Sequence, residues 1–307
     1  MNSALQELEW LMSRHFIALT AGRIARAAAI DWGAAATDTR PDNRVPIASD
    51  FAMTRLTILT GASRGLGAAM AEQLLQRGGT LLTLSRNVNA GLMERAAASA
   101  ATLEQWTLDL AQPVQAAARL EAWLETLDGE GFEQATLINN AAMITDIGPL
   151  EDLAAGELSS ALRVGLEAPL LLTAAFLRAT RAWRARRLGT CRVLNISSGL
   201  GRFARASQAC YCAVKAGMDH FSRSVALDQT ADSQPAHIVS LAPGVIDTDM
   251  QTRLRAANPA RFPDHARFVH MKESGQLDAP AVAAAKVLAF LERADFGEKP
   301  VADIRDA

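Results

Sequence analysis

Tyr211 and Lys215 are the residues whose types and spacing most directly suggest chemistry. They stand four positions apart, which on a helix places a phenol and an ammonium one turn apart on the same face. A free tyrosine has a pKa near 10. A lysine held close favours the phenolate and lowers that pKa, so the tyrosine can donate a proton to a carbonyl near neutral pH. Because the same pair is common on ordinary helix surfaces, it does not predict catalysis alone.

Ser198 is the third candidate. It precedes Tyr211 by thirteen residues and follows the run 193–197 (VLNIS). That run predicts a β-strand, so Ser198 would lie at the carboxyl end of a strand, where α/β proteins build their sites. A hydroxyl there can hydrogen-bond a substrate oxygen and stabilise the charge that develops on it. Ser198, Tyr211 and Lys215 are therefore the candidate catalytic residues.

A glycine-rich turn, residues 60–67 (TGASRGLG), lies between an apolar run and a helical pattern. Glycines there let the backbone approach a phosphate, and the N-terminus of the next helix presents unpaired N–H groups to it. The turn alone is weak evidence, but its place at the start of a βαβ unit predicts a dinucleotide site. The candidate cofactor contacts in this turn are Gly61, Ser63, Arg64, Gly65, Leu66 and Gly67.

The end of the second predicted strand distinguishes between NAD and NADP. An NAD site usually has an acidic residue about 20 positions after the turn to bind the ribose 2′-hydroxyl, whereas an NADP site offers arginine. This chain has Leu84-Ser85-Arg86 there, without an acidic residue, and Arg64 stands in the glycine turn. Two guanidiniums suit a 2′-phosphate, so the sequence predicts NADP(H) as the cofactor.

These residues need a scaffold, and the hydrophobic pattern indicates one. Short apolar runs alternate with helical stretches, which is the rhythm of βαβ units around a parallel sheet. The predicted strands are 55–60, 80–84, 103–108, 135–139, 191–196, 237–241 and 301–304. The predicted helices are 66–77, 114–127, 158–186, 207–229 and 279–292. We expect an α/β fold, a single doubly wound Rossmann domain with a seven-stranded parallel sheet flanked by helices.

Composition narrows the function classes. The chain has 307 residues, of which 50% are hydrophobic, and a formal net charge of −2. That balance is typical of a globular protein and excludes a strongly charged surface for nucleic acid or an anionic membrane. We expect no run of the roughly 18 apolar residues that a spanning helix needs. Cys191, Cys210 and Cys212 are too few for a disulfide framework, which favours a reducing, cytoplasmic compartment; they also lack the spacing of a zinc site, so no metal is expected.

Residues 1–52 differ in character from the rest. Residues 5–30 have helical periodicity, whereas 31–50 are rich in Gly, Pro and Asp, as in a linker. A targeting peptide fits poorly, because Glu7 and Glu9 interrupt its start. Two interpretations remain: a poorly ordered N-terminal extension, or a start codon assigned too far upstream. We favour the second, with Met53 as the initiator and 53–307 as the Rossmann domain.

Taken together, the motifs resemble the short-chain dehydrogenase/reductase family over about 250 residues. The family's glycine motif matches 60–67, its adenine-contacting acid matches Asp109, and its strand-four motif matches 139–142 with Ala142 in place of the usual glycine. Its serine, tyrosine and lysine match Ser198, Tyr211 and Lys215, and 243–248 matches the segment over the nicotinamide. The further cofactor contacts that the resemblance implies are Asp109, Asn139, Ala141, Tyr211, Lys215, Pro243, Gly244, Val245 and Thr248.

The resemblance also implies a mechanism. NADPH would deliver hydride to a carbonyl carbon while Tyr211 protonates the oxygen, Lys215 lowers the tyrosine pKa and holds the nicotinamide ribose, and Ser198 orients the carbonyl. Family members pair through long helices, so a homodimer or homotetramer is implied. One departure stands out: the asparagine that usually supports the lysine's water relay is replaced by Gly165.

The C-terminal third resembles the sepiapterin reductase and benzil reductase branch of the family. This resemblance implies a ketone substrate beside a second carbonyl or on a pterin side chain, and a substrate loop at about 250–276. Met250 and Asp303 are the candidate substrate residues. Two alternatives stay open: a 3-oxoacyl-carrier-protein or general ketone reductase, and a regulatory protein that binds NADP(H) without turnover, which Gly165 would explain.

Overall fold

The computed structural model describes residues 54–185 and 190–306, which are built around one seven-stranded sheet. The spatial order of its strands is β3-β2-β1-β4-β5-β6-β7, and all neighbouring strands are parallel. The strands are β1 Thr54–Thr60, β2 Gly79–Ser85, β3 Ala101–Thr107, β4 Phe132–Asn139, β5 Thr190–Ile196, β6 His237–Ala242 and β7 Val301–Asp303. The predicted fold class is confirmed, and every predicted strand lies within two to three residues of an observed one.

Ten α-helices occur in the described part of the chain. They are α1 Gly65–Gln76, α2 Ala90–Ala97, α3 Pro113–Glu125, α4 Ala155–Leu162, α5 Ala168–Ala179, α6 Arg181–Ala185, α7 Ala209–Gln229, α8 Asp249–Arg255, α9 His265–Glu273 and α10 Pro280–Leu291. Helices α2, α8 and α9 were not predicted, because each is nine residues or shorter and buries only one or two side chains. A buried face of only one or two side chains leaves no periodic hydrophobic pattern in the sequence.

The predicted continuous helix 158–186 is wrong in one important respect, because a π-helical turn, Arg163–Glu167, separates α4 from α5. Pro169 stands in the first turn of α5, has no N–H and cannot donate to the carbonyl four residues earlier, that of Gly165. The N–H of Ala168 instead reaches back five residues to the carbonyl of Arg163, which is the hydrogen bond of a π-helix.

The same helical stretch bears on the membrane question. Among the described residues, the stretch Ala155–Ala179 is long and apolar enough by length and composition to cross a membrane, which the sequence analysis did not foresee. Nearly half of its most apolar window, 44%, is buried in the domain, and Leu172, Ala175 and Phe176 are fully enclosed. Packing in the domain core therefore accounts for the buried part of this apolar stretch.

Both faces of the sheet are covered, so its strands are apolar on both sides. Leu56 and Ile58 of β1 point into a core formed with α3 and α5, whereas Leu59, which follows Ile58, points into a second core formed with α1 and α10. Such two-sided burial is the reason that parallel strands have nearly continuous apolar runs.

Strand β1 lies between β2 and β4. The chain therefore builds the sheet outward from β1 in one direction through β2 and β3, and then in the opposite direction from β4 to β7. This reversal opens a crevice beside the carboxyl ends of the strands, where doubly wound proteins bind their ligands. The loops that follow β1, β4, β5 and β6 all meet there. Residues 1–53 lie outside the described part of the chain, so the predictions about residues 1–52 stay predictions.

Candidate active site

A cleft of about 860 Å³ lies at this edge of the sheet. The predicted site residues that line it are Gly61, Ser63, Arg64, Gly65, Leu66, Gly67, Arg86, Asp109, Ala141, Ser198, Tyr211, Lys215, Pro243, Gly244, Val245, Thr248 and Met250. Residues from seven separate segments of the chain thus meet in one place. Two predicted residues, Asn139 and Asp303, do not line it.

The glycine turn forms one end of the cleft. Gly61 and Gly65 have φ angles of 73° and 57°, a left-handed conformation that side chains other than glycine rarely adopt. At Gly67 a Cβ atom would lie 2.0 Å from the carbonyl oxygen of Gly61, so only glycine lets α1 start this close to β1. The turn therefore presents the N-terminus of α1 to the cleft, as a phosphate site requires.

Thr60 and Asn140 hold the glycine turn, and the sequence analysis missed both. The Thr60 hydroxyl accepts from the backbone N–H groups of Asn140 and Ala141, each at 2.9 Å. The Asn140 amide donates to the carbonyls of Thr60 and Gly61 at 3.0 and 3.2 Å. The sequence signal for Asn140 is the pair Asn139-Asn140 at the end of β4, of which only Asn139 is predicted to be a site residue.

Asn139 has a structural place beneath the cleft. It is 1% exposed, and its amide donates to Asn195 at 2.9 Å and to Thr173 at 3.2 Å. These bonds connect β4 to β5 and α5. The side chain predicted to contact the cofactor therefore points into the core, because successive strand residues face opposite sides.

Two arginines stand where the 2′-phosphate was expected. Arg64 is 71% exposed and pairs with Asp249 at 3.0 Å, and Arg86 is an exposed residue of the cleft wall. Ser85, which ends β2, accepts from the backbone N–H of Ala62 at 2.9 Å. No acidic side chain occupies this strand end, as the sequence indicated.

Ser198, Tyr211 and Lys215 come together at the middle of the cleft. Ser198 follows β5 and begins the 3₁₀ turn Gly199–Gly201, and a hydrogen bond joins it to the Tyr211 phenol. The Lys215 ammonium lies 5.7 Å from the centre of the Tyr211 ring and donates to the carbonyl of Ile196 at 2.6 Å. Lys215 is 2% exposed, so its charge is held at a defined point.

The electrostatics of this group differ from the expectation. Burial raises the pKa of Tyr211 to about 12, and the hydrogen bond from Ser198 offsets only part of that effect. The expected lowering by Lys215 is wrong for this structure, because the ammonium bonds to a backbone carbonyl instead of the phenol. Burial lowers the pKa of Lys215 to about 8, against the opposing influence of Asp219. At pH 7 the phenol is protonated and the ammonium charged.

Asp219 was also missed, although it lies on the same face of α7 two turns after Tyr211. It is 1% exposed and accepts from the hydroxyls of Ser197 and Ser240 at 2.6 and 2.7 Å. Arg202 donates to its other oxygen at 3.2 Å. Because Ser197 and Arg202 flank the Ser198 turn, these bonds hold the turn on both sides.

Asp303, the predicted substrate anchor, lies away from the cleft. Both of its oxygens accept from the Arg305 guanidinium, at 2.8 and 2.6 Å, and it is 5% exposed. The hydrogen bonds from Arg305 hold the pKa of this carboxyl below its usual value. Asp303 is therefore already paired with Arg305. Of these two residues, Arg305 lines the cleft and Asp303 does not.

The predicted substrate loop is a helical cover. Helices α8 and α9 enclose a small apolar cluster of Ile144, Leu254, Phe262, Phe268 and Met271, against which Tyr211 and Met250 pack. The polar contacts that hold the cover to the domain include those of Ser207 with the Arg261 carbonyl, Arg261 with Asp152 and Arg205 with Asp264.

Comparisons of the sequence and of the fold with known proteins match members of the same family. The family model described as short chain dehydrogenase matches residues 55–259. A benzil reductase ((S)-benzoin forming) of Bacillus cereus is 32% identical over 247 residues, which are 80% of this chain and 98% of that protein. A sepiapterin reductase of Xenopus laevis is 32% identical over 77% of this chain and 90% of its own length. A short-chain dehydrogenase/reductase structure from Burkholderia vietnamiensis is 33% identical with a TM-score of 0.55, covering 83% of this chain and 99% of that one.

Proposed function

This chain belongs to the short-chain dehydrogenase family of oxidoreductases, and we propose that it is an NADPH-dependent carbonyl reductase. Its substrate would be a ketone, either one carbonyl of an α-dicarbonyl or the side chain of a pterin. The observation that carries the proposal is the Tyr211 phenol, which lines the cleft, bonds to Ser198 and lies one helical turn from the buried Lys215 ammonium.

The shape of the cleft fits a nicotinamide dinucleotide. The glycine turn offers backbone N–H groups to a diphosphate, and Arg64 and Arg86 would bind the 2′-phosphate. Asp109 would contact the adenine. Toward the nicotinamide, the contacts would come from Ala141, Pro243, Gly244, Val245, Thr248, Tyr211 and Lys215. When bound, NADPH supplies the hydride, and the protein supplies placement and electrostatics.

In this assignment Tyr211 donates the proton that the carbonyl oxygen needs. Its raised pKa keeps the phenol protonated at neutral pH, which is the state that a reduction requires. Lys215 is charged at pH values below about 8, and its role in this assignment is to hold the nicotinamide ribose. The Ser198 hydroxyl orients the carbonyl and stabilises the charge on its oxygen.

The wall of the cleft beside Tyr211 favours an apolar substrate. It includes Ile144, Met250, Leu254, Phe268 and Met271. Aromatic and thioether side chains of this kind suit a flat or aromatic ligand body. Aromatic α-dicarbonyls such as benzil combine that body with the reducible oxygen, and the similarity to a benzil reductase supports the same class.

The test is NADPH oxidation with benzil, 1-phenyl-1,2-propanedione, sepiapterin and an acetoacetyl thioester, with NADH measured in parallel. We expect turnover of the dicarbonyls with NADPH. Tyr211→Phe and Ser198→Ala should each lose at least about 100-fold in kcat and still bind NADPH. Ser160→Ala is the matched control, because this hydroxyl lies outside the cleft and bonds to the carbonyl of Gly156.

The other outcomes separate the alternatives. Preference for the thioester would keep the mechanism and assign the chain to the 3-oxoacyl-carrier-protein reductases. Tight NADPH binding without turnover of any ketone would favour a non-catalytic, NADP(H)-binding regulatory protein. Wild-type rates in Tyr211→Phe would refute the proton-donor assignment. The cytoplasmic location and the homodimer or homotetramer stay predictions from composition and resemblance.

A further inference from the structure

Gln208 is a buried amide in the wall of the cleft that the proposed mechanism does not use. It is 3% exposed, lines the cleft and stands at the N-cap of α7, three residues before Tyr211. Side chains three positions apart at the start of a helix are neighbours on its surface. Gln208 and the proposed proton donor therefore face the same part of the cleft.

The Gln208 amide has no partner within the described part of the chain. Its oxygen is fully enclosed without a hydrogen bond, and the side chain does not cap the helix that it precedes. Buried amides normally find partners, so an unpaired one calls for an explanation. Asn195 shows the ordinary case, since it accepts from Asn139 and donates to Ser222, both at 2.9 Å.

The backbone before Gln208 is held firmly in place. Ser207 has a φ of 64°, which is rare for a side chain other than glycine. Its hydroxyl donates to the carbonyl of Arg261 at 2.6 Å, and its own carbonyl accepts from Gly148 at 3.2 Å. An uncommon conformation maintained by neighbouring contacts is typical of functional sites, and here it orients the residue that carries the unpaired amide.

The chemistry of an amide indicates what it binds. It is uncharged and can donate and accept, and since neither end of the group is bonded, its terminal torsion is free to turn the N–H toward the cleft. The charged neighbours Arg205 and Asp264 pair with each other at 2.8 Å. Of the other charged residues in the wall, Arg253 pairs with Asp146 at 3.3 Å and Arg267 is exposed. The side chains that pack beside Tyr211 are apolar, so a neutral acceptor on an apolar body fits the amide best.

We propose that Gln208 donates a hydrogen bond to the second carbonyl oxygen of an α-dicarbonyl substrate, beside the carbonyl that Tyr211 protonates. The inference rests on the proposed function and adds a residue that selects dicarbonyls over simple ketones. Gln251 is a second buried cleft residue whose amide oxygen is unpaired. It lies on α8, whereas Gln208 begins the helix that carries Tyr211, and for that reason the role is given to Gln208.

The experiment compares two substrates that differ only in the second carbonyl, 1-phenyl-1,2-propanedione and propiophenone, in NADPH oxidation by the full chain. In Gln208→Met, which keeps the length of the side chain but cannot donate, kcat/KM for the dione should fall about tenfold, mainly through KM. The value for propiophenone should stay within about twofold of the wild type. The melting temperature should not fall, because no hydrogen bond within the protein is lost.

Gln73→Met is the matched control. Gln73 donates to the carbonyl of Ala281 at 2.8 Å outside the cleft, so this variant should lose stability and keep the wild-type preference for the dione. An equal loss on both substrates in Gln208→Met, or no change on either, would overturn the inference and leave the proposed function intact. Absence of turnover by the wild type on both substrates would refute the two together.

Discussion

Gly165 and Val214 form a contact whose energy can be worked out from the structure. Gly165 is buried in the π-helical turn between α4 and α5, and a Cβ atom there would lie 2.6 Å from Cγ1 of Val214. Val214 is 2% exposed and directly precedes Lys215 in α7. Any side chain at position 165 must therefore displace the side chain of Val214, the residue next to Lys215.

The expected magnitude follows from two opposing effects. Replacing a helical glycine by alanine normally stabilises a protein by about 1 kcal/mol. Overpacking a tight core contact costs about 1–3 kcal/mol, so we expect Gly165→Ala to lower the free energy of unfolding by up to about 2 kcal/mol. Val214→Ala should cost about 1–3 kcal/mol through its cavity. The double variant should lose clearly less than the sum, because the new methyl group fills part of that cavity.

Urea unfolding of the wild type, both single variants and the double variant gives the complete cycle. We expect a coupling energy of about 1–2 kcal/mol between positions 165 and 214. Unfolding free energies that add within about 0.5 kcal/mol, or a Gly165→Ala variant more stable than the wild type, would refute the packing argument. If the cycle holds, Gly165→Asn should be tolerated only together with Val214→Ala.

Two further predictions concern the charges of the site. The pKa of Lys215 is lowered to about 8, so between that value and its unfolded pKa near 10.4 the unfolded state binds more protons. The free energy of unfolding of the wild type should therefore rise with pH in this window, and that of Lys215→Met should not. Denaturation measured at several pH values checks this, and parallel pH curves for the two proteins would contradict the lowered pKa of Lys215. Arg86→Ala should reduce the NADPH/NADH ratio of kcat/KM about 10–100-fold through KM, and an unchanged ratio would exclude Arg86 from the 2′-phosphate site.

The sequence predicted the sheet well and the helices less completely. Each strand has an apolar run bounded by turn residues, and this signal is local. The missed helices α2, α8 and α9 bury few side chains, so their stability comes from packing that the sequence does not display. The break before α5 was readable in principle, because Pro169 cannot donate the hydrogen bond that a continuous helix needs.

The site was predicted unevenly for a related reason. Ser198, Tyr211 and Lys215 meet as expected, since their positions depend on strand ends and helical spacing. Asn139 and Asp303 do not line the cleft. The direction of the Asn139 side chain at the end of β4 and the ion pair of Asp303 both depend on neighbouring elements, which the local sequence does not specify. The roles of Asn140 and Asp219 were missed on the same grounds.

By itself, then, the amino-acid sequence determined what depends on near neighbours along the chain: the βαβ order, the glycine turn, the absence of an acid after β2 and the spacing of Tyr211 and Lys215. Tertiary structure alone decided what depends on burial and on long-range contacts. It set the direction of the Tyr211 pKa, which desolvation raises although the pair spacing suggests the opposite. It also left the Gln208 amide without a partner in the cleft wall. Desolvation and hydrogen-bond satisfaction are properties of the folded surroundings, and no spacing between residues encodes them.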